Sequence, residues 1–183
     1  MRIQDDEGFA ANTSSSTGLD DEPQIIKLAN DLLGLGIPKS FQVNRDELTQ
    51  ERFTKNPSKD FQRELIQYLL KNPDAINEPI DSYGSPGHYA ARYGLEKLYR
   101  VLARFPDFDV DKQDAQGNTH LHLAAYSLNW DLVEFITEPL RPVDYHKENF
   151  SNQAALKYLE ENRNPGEPNR QKIMQLLHER MQD

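Results

Sequence analysis

The 183-residue chain contains no cysteine and a single tryptophan. Without cysteine there is no disulfide framework, no thiolate zinc site and no thiol nucleophile. Long apolar runs are missing too. No stretch approaches the roughly 18 to 20 apolar residues that span a bilayer, so no membrane partner is expected. Basic residues are in deficit, 21 against 30 acidic, for a net charge of -9. Binding a phosphate backbone needs a basic face, so nucleic acid is not the expected partner either. Residues Met1-Arg2-Ile3-Gln4-Asp5-Asp6 form no apolar signal core, and Arg180-Met181-Gln182-Asp183 carries no lipidation box. These absences predict a soluble, cytoplasmic chain. Its 37% hydrophobic content suffices for one modest core.

Much of the charge sits at one end. Residues 1–22 hold Asp5, Asp6, Glu7, Asp20, Asp21 and Glu22 against Arg2 alone, which is -5 of the total. Between the two acidic clusters, Asn12-Thr13-Ser14-Ser15-Ser16-Thr17-Gly18 has nothing to bury. Such a segment cannot offset the entropy of ordering, so a disordered tail is predicted over 1–22. Solvation explains it more simply than a phosphorylation or export signal.

From Pro23 onward the apolar residues fall at helical spacing. Ile25, Ile26, Leu28, Ala29, Leu32 and Leu33 make one helix, which Gly34-Leu35-Gly36-Ile37-Pro38 stops. Arg45 to Phe53 reads as a weaker helix. Lys59 to Lys71 carries a wide stripe of Phe61, Leu65, Ile66, Tyr68, Leu69 and Leu70. No run alternates as a strand would. The expected fold class is all-α.

An apolar hexad recurs along the later helices. It begins at Leu65, Leu98, Leu132 and Ile173, at offsets of 33, 34 and 41, the last lengthened by Asn162-Arg163-Asn164-Pro165-Gly166-Glu167-Pro168. Other matches share the 34-residue offset: Ile76-Asn77 with Val110-Asp111, Ser85 with Thr119, His88 with His122, and Ala90-Ala91 with Ala124-Ala125. Loop, first helix and second helix thus repeat together, which is the mark of a solenoid.

The segment Asp114-Ala115-Gln116-Gly117-Asn118-Thr119-His120-Leu121-His122-Leu123-Ala124-Ala125 resembles the ankyrin repeat consensus D-x-x-G-x-T-P-L-H-x-A-A. Ser85 to Gly94 is a good second match, and the stretches around 53–72 and 143–178 are partial. The resemblance implies a solenoid of three to four stacked helix-turn-helix units over about 56–80, 81–113, 114–147 and 148–183. An extra helical cap or adaptor would occupy 23–55. Asp114 and Gly117 suit a tight turn with Gly at positive φ, and Thr119 suits an N-cap. By resemblance, His88 and His122 bond backbone groups of adjoining loops.

Several residues depart from the pattern. Gly87 stands where the third repeat has Leu121, which predicts a missing core side chain and a weaker second repeat. Gly84 is one residue out of register. His120 replaces the usual Pro, and Leu128 the Gly that usually ends the first helix. Glu148-Asn149-Phe150-Ser151-Asn152 offers no D-x-x-G turn. Lys172, His178, Glu179 and Arg180 suit a solvent-facing terminal cap.

Chemistry finds little footing. His120 and His122 are two apart and do not share a helix face, and no metal-ligand spacing such as H-E-x-x-H appears. There is no G-x-S-x-G elbow and no phosphate loop. No catalytic residue, cofactor or metal is expected, and an enzyme would need an unfamiliar site. The resemblance implies instead a monomer that binds another protein through its loop tips and the exposed ends of its first helices. Those positions are Asp81, Ser82, Gly84, Arg92 and Tyr93, then Ala115, Gln116, Asn118, Tyr126 and Ser127. Tyr93 and Tyr126 are the expected anchors, with packing against adjacent loops as the alternative, and Arg92 would meet an acidic group. Trp130 reads as core. Ankyrin modules serve scaffold and regulatory proteins and also bacterial proteins delivered into host cells, so an adaptor or host-directed effector is the second reading.

Overall fold

The computed structural model describes residues 22–38, 58–80, 84–139 and 141–182. The acidic tail up to residue 21, the expected helix Arg45 to Phe53, and Asp81 and Ser82 lie outside the described residues. Within them the chain is helical and has no strand. The helices are α1 (Glu22–Leu33), α2 (Lys59–Lys71), α3 (Pro86–Arg92), α4 (Glu96–Leu102), α5 (His120–Tyr126), α6 (Trp130–Ile136), α7 (Ala155–Asn162) and α8 (Arg170–Arg180), with a 3₁₀ turn at Pro73–Asn77.

Local chemistry sets the ends of the first two. After α1, the Asn30 amide bonds the backbone of Ile37 in both directions, at 3.1 and 2.7 Å, and so folds the Gly34 to Pro38 turn back on the helix. Ser58 caps α2 by accepting the Phe61 N–H at 3.1 Å, and Asn72-Pro73 ends it.

Helices α3 to α6 have seven residues each. Helices that short are unstable alone in water, so contacts between repeats must hold them. α5 packs between α3 and α7, α6 between α4 and α8, and α1 lies against α4 and α2. Ile25, Leu65, Leu69, Leu98, Leu102, Leu121, Leu132, Leu159 and Ile173 are all at most 1% exposed in one continuous core. Each contributes about 1.5–3 kcal/mol by leaving water. The alanine pairs Ala90-Ala91 and Ala124-Ala125 are fully buried and let α3 and α5 approach closely.

Three departures from the repeat pattern resolve differently from expectation. Gly87 leaves no hole: a β-carbon there would stand 2.3 Å from His120 Cε1. The His120 ring, itself 0% exposed, fills the space that the missing side chain would have taken. Leu128 keeps the left-handed conformation of the glycine it replaces, at φ 57°, beside 62° for Gly94 one repeat earlier. The fourth repeat has its turn after all. Asn149 Oδ1 accepts the N–H groups of Ser151 and Gln153 at 2.9 and 3.2 Å. Asp114 Oδ1 does the same for Gln116 and Asn118, at 2.9 and 2.8 Å. Asn152 takes the positive φ, 54°, that Gly117 takes at 79°. An amide oxygen accepts as a carboxylate does, and asparagine tolerates the left-handed region.

The linker after α7 is likewise no free insertion. Arg163 Nε donates to the Tyr126 carbonyl at 2.8 Å, and Asn169 Nδ2 to that of Leu128 at 3.2 Å. It folds back over the end of the third repeat's first helix.

Candidate partner-binding site

The loops that would present a docking face are held by side chains that repeat from unit to unit. His88 Nδ1 accepts the Ser85 N–H at 3.2 Å, so its proton sits on Nε2 and is shared between the carbonyls of Lys112 and Asn118 at 3.0 and 3.1 Å. His122 repeats this: Nδ1 accepts the Thr119 N–H at 3.2 Å, and Nε2 donates to the Gln153 carbonyl at 2.8 Å. Each imidazole closes the cap of its own helix and reaches the loop of the next repeat. Burial pushes both rings below the ordinary histidine range, against the pull of Asp114 and of the carbonyls. They are neutral struts.

A second strut lies further out. Asn77 Oδ1 accepts the Asp109 N–H at 3.0 Å, and one repeat later Asp111 accepts the Asp144 N–H at 3.1 Å. Asp114 is fully buried and pairs with the Arg92 guanidinium at 3.5 Å.

The residues expected to meet a partner divide accordingly. Ala115 and Gln116 stand exposed at their loop tip. Tyr93 and Ser127 are half-buried at the ends of α3 and α5, with Tyr93 edge-on to buried Tyr89 at 4.9 Å. Arg92 is occupied by Asp114, inside the protein. Asn118 is 4% exposed, because its backbone and amide close the Asp114 turn and its Oδ1 accepts from Asn149 at 3.0 Å. Gly84 is also buried: at φ 119° it lies so near His88 and Asp114 that a β-carbon would meet the ring at 2.9 Å. These two are structural positions. Tyr126 is partly covered by the fourth repeat, with the Arg163 guanidinium 4.5 Å above its ring and Tyr158 at 5.7 Å. Trp130 is half-buried, its ring capped by Lys172 Nζ at 3.5 Å, so it borders the core without entering it.

One surface residue escaped the sequence reading. Phe150 is 73% exposed, the sole large exposed hydrophobe among the described residues. It is the residue after Asn149, as Ala115 is the residue after Asp114, so it stands at a loop tip. Its backbone N–H donates to the Gln116 carbonyl at 3.1 Å. Its ring lies on Gly117, where a β-carbon would stand 2.6 Å from Cδ1. Recognising Asn149 and Asn152 as stand-ins for the turn's Asp and Gly would have revealed it.

No group of three or more His, Cys, Asp or Glu among the described residues is arranged to hold a metal ion. Among those residues, too, no helix is long and apolar enough to cross a membrane. The family model described as Ankyrin repeats (3 copies) matches residues 58–149. No curated protein matches the chain.

Proposed function

The chain belongs to the ankyrin repeat family, and from that premise we propose that it is a cytoplasmic, non-catalytic binding module whose partner protein docks on the loop tips of the third and fourth repeats. Ankyrin repeats are in general protein-protein interaction modules. The observation that carries the placement is Phe150. A bare aromatic ring, held over Gly117 and tied through its backbone to Gln116, is ordered before any partner arrives. Pre-ordered aromatic rings make good anchors because little conformational entropy is lost on contact. Ala115 and Gln116 extend the surface along the neighbouring tip, and Tyr93 and Ser127 border it.

Quantitative interaction capture with wild type, Phe150→Ala and Glu134→Ala tests the assignment. Glu134 is an exposed control on α6. Partners should be lost with Phe150→Ala while its unfolding curve stays within about 0.5 kcal/mol of wild type, as surface changes do. Equal capture by all three proteins removes the loop tips from the interface.

A second reading, of an adaptor or host-directed effector, takes its support from the other end. Between α1 and the end of α4 lies a cleft of about 720 Å³, lined by Gln24, Lys27, Leu28, Asp31 and Arg104 among others. On this reading residues 23–55 recruit a second protein there. Lys27→Glu with Asp31→Lys would abolish that second association and leave capture at the loop tips unchanged.

A further inference from the structure

Between the second and third repeats lies a polar cluster that the docking face does not use. Ser85, His88, Tyr99 and His120 are each at most 2% exposed. The two imidazoles meet edge to face, their centroids 4.4 Å apart. Hydrogen-bond directions in this cluster follow from its fixed end. His88 Nδ1 accepts from the Ser85 backbone, so the Ser85 hydroxyl, 2.8 Å away, must also donate to it. Toward His120 Nε2, at 3.4 Å, the same hydroxyl can then only accept. His120 accordingly carries its proton on Nε2 and accepts the Tyr99 hydroxyl on Nδ1 at 3.0 Å. One chain of protons runs from Tyr99 through His120 and Ser85 to His88 and out to the carbonyls of Lys112 and Asn118.

Another proton on His120 would reverse the bond to Tyr99 and leave that hydroxyl's own proton without its acceptor. It would take the lone pair that receives the Tyr99 hydroxyl, and would place a cation in the core. The groups facing His120 are His88 from α3, Tyr99 from α4, Phe108 from the following loop with its ring at 5.3 Å, and the bare backbone of Gly87. Asp114 and Arg92 act on the His88 side. Among the described residues no carboxylate bonds to His120. A buried cation without a counter-charge is costly enough that opening the structure becomes the easier response.

We propose that His120, seated on Gly87 between Tyr99 and Ser85, makes the joint between α3 and α5 an acid-released latch. It is closed while the imidazole is neutral and opens the second repeat from the third when the ring takes up a second proton. In a stack of repeats each interface can open by itself, so the break is local. Opening separates Tyr93 from Ser127 and Gln116, which would weaken docking in mild acid by removing one border of the face while Phe150 and Gln116 stay together. The latch stands without the docking assignment, and only this last consequence rests on it.

Amide hydrogen exchange on the free full-length protein at pH 7.5, 6.5 and 5.5, corrected for intrinsic exchange, tests it without any partner. His120 is held well below the ordinary histidine value of 6.5, chiefly by burial. If the ring regains that value once open, the opening equilibrium seen by α3 and α5 amides rises about tenfold between pH 7.5 and 5.5. It rises further if His88 is released with it. In His120→Gln, whose amide offers an N–H donor and a carbonyl acceptor without titrating, the rise should shrink by about tenfold. Should that variant not fold, the wild-type imidazole decides by NMR. Its ring signals should not titrate while α3 and α5 remain protected. A ring that titrates near 6.5 in the closed protein, or α3 and α5 amides whose opening ignores pH, overturns the latch.

Discussion

His120 occupies the volume that a side chain at Gly87 would need, with its Nε2 2.6 Å from the ideal β-carbon position. Neither residue is at fault in the repeat: each is the condition of the other. In an isolated helix Gly→Ala is worth roughly 1 kcal/mol of stability. Here Gly87→Ala should instead destabilise by about 1–3 kcal/mol, because the ring must move out of a close-packed site. In urea unfolding, the Gly87→Ala/His120→Ala double variant should lose at least about 1 kcal/mol less than the sum of the two single variants. Additive losses would show that the two sites do not share the space.

Leu128 holds a left-handed backbone conformation that costs a side-chain-bearing residue roughly 1–2 kcal/mol. Its side chain also packs on the core edge. Leu128→Asn keeps the turn while easing the strain, and Leu128→Gly relieves it fully at the expense of the packing. Both should leave the thermal midpoint within a few degrees of wild type, whereas Leu128→Val, with a branched β-carbon in that conformation, should lower it clearly. A Val variant as stable as wild type would mean the backbone there is not left-handed.

The fourth turn gives its own test. Asn149→Ala removes the acceptor for two backbone N–H groups and the amide that meets Asn118, and should cost about 1–3 kcal/mol. Asn152→Gly, at φ 54°, should be neutral or stabilising by up to about 1 kcal/mol. Chemical denaturation of both variants separates this turn from an irregular loop, in which neither change would matter.

Stability should fall as the solution is acidified below about pH 6.5. His88, His120 and His122 all lie below their ordinary value of 6.5, burial being the largest cause in each. Above 6.5 the rings are neutral in folded and unfolded chains alike and the full stability is present. Below it the unfolded chain binds protons that the folded one refuses, so stability drops with pH until the folded rings titrate. A series of urea midpoints between pH 7.5 and 5.0 should therefore slope downward toward acid. A flat profile across that range would contradict three buried neutral imidazoles.

Asp111 pulls the other way. Burial first, and its neighbours Asp144 and Asp109 after it, raise its carboxyl above the usual range, although the Asp144 N–H and Lys147 favour the charge. One repeat earlier the same strut is an uncharged amide, Asn77. Asp111→Asn should keep the bond to Asp144 and be neutral or slightly stabilising at pH 7 by thermal melting. A large loss would show that the charge itself is needed.

The helical stack was legible in the sequence because Leu98 and Leu132, Ala90 and Ala124, and His88 and His122 repeat the same chemistry at one spacing. What escaped notice depended on contact. Gly87 and His120 read as two separate defects, and only the α3–α5 packing brings them together. Asn149 and Asn152 do the work of Asp and Gly through an amide and a tolerated dihedral angle, which a match by residue identity does not register. Phe150 was missed with them. Asn118 and Gly84 read as surface positions because tip positions are usually open. Here a carboxylate turn and a histidine ring close over them.

The bond from Phe150 to Gln116 and that from Asn149 to Asn118 join two successive fingers like the teeth of a comb. Neither tooth can slide without breaking a bond to its neighbour, so the gap between the aromatic tip and the glutamine beside it is set in advance. Whatever grips this edge must bring its own contacts at that pitch. For a partner docking there as proposed, the burden of adjustment would fall on the visitor, and rivals with a different pitch would be turned away by geometry.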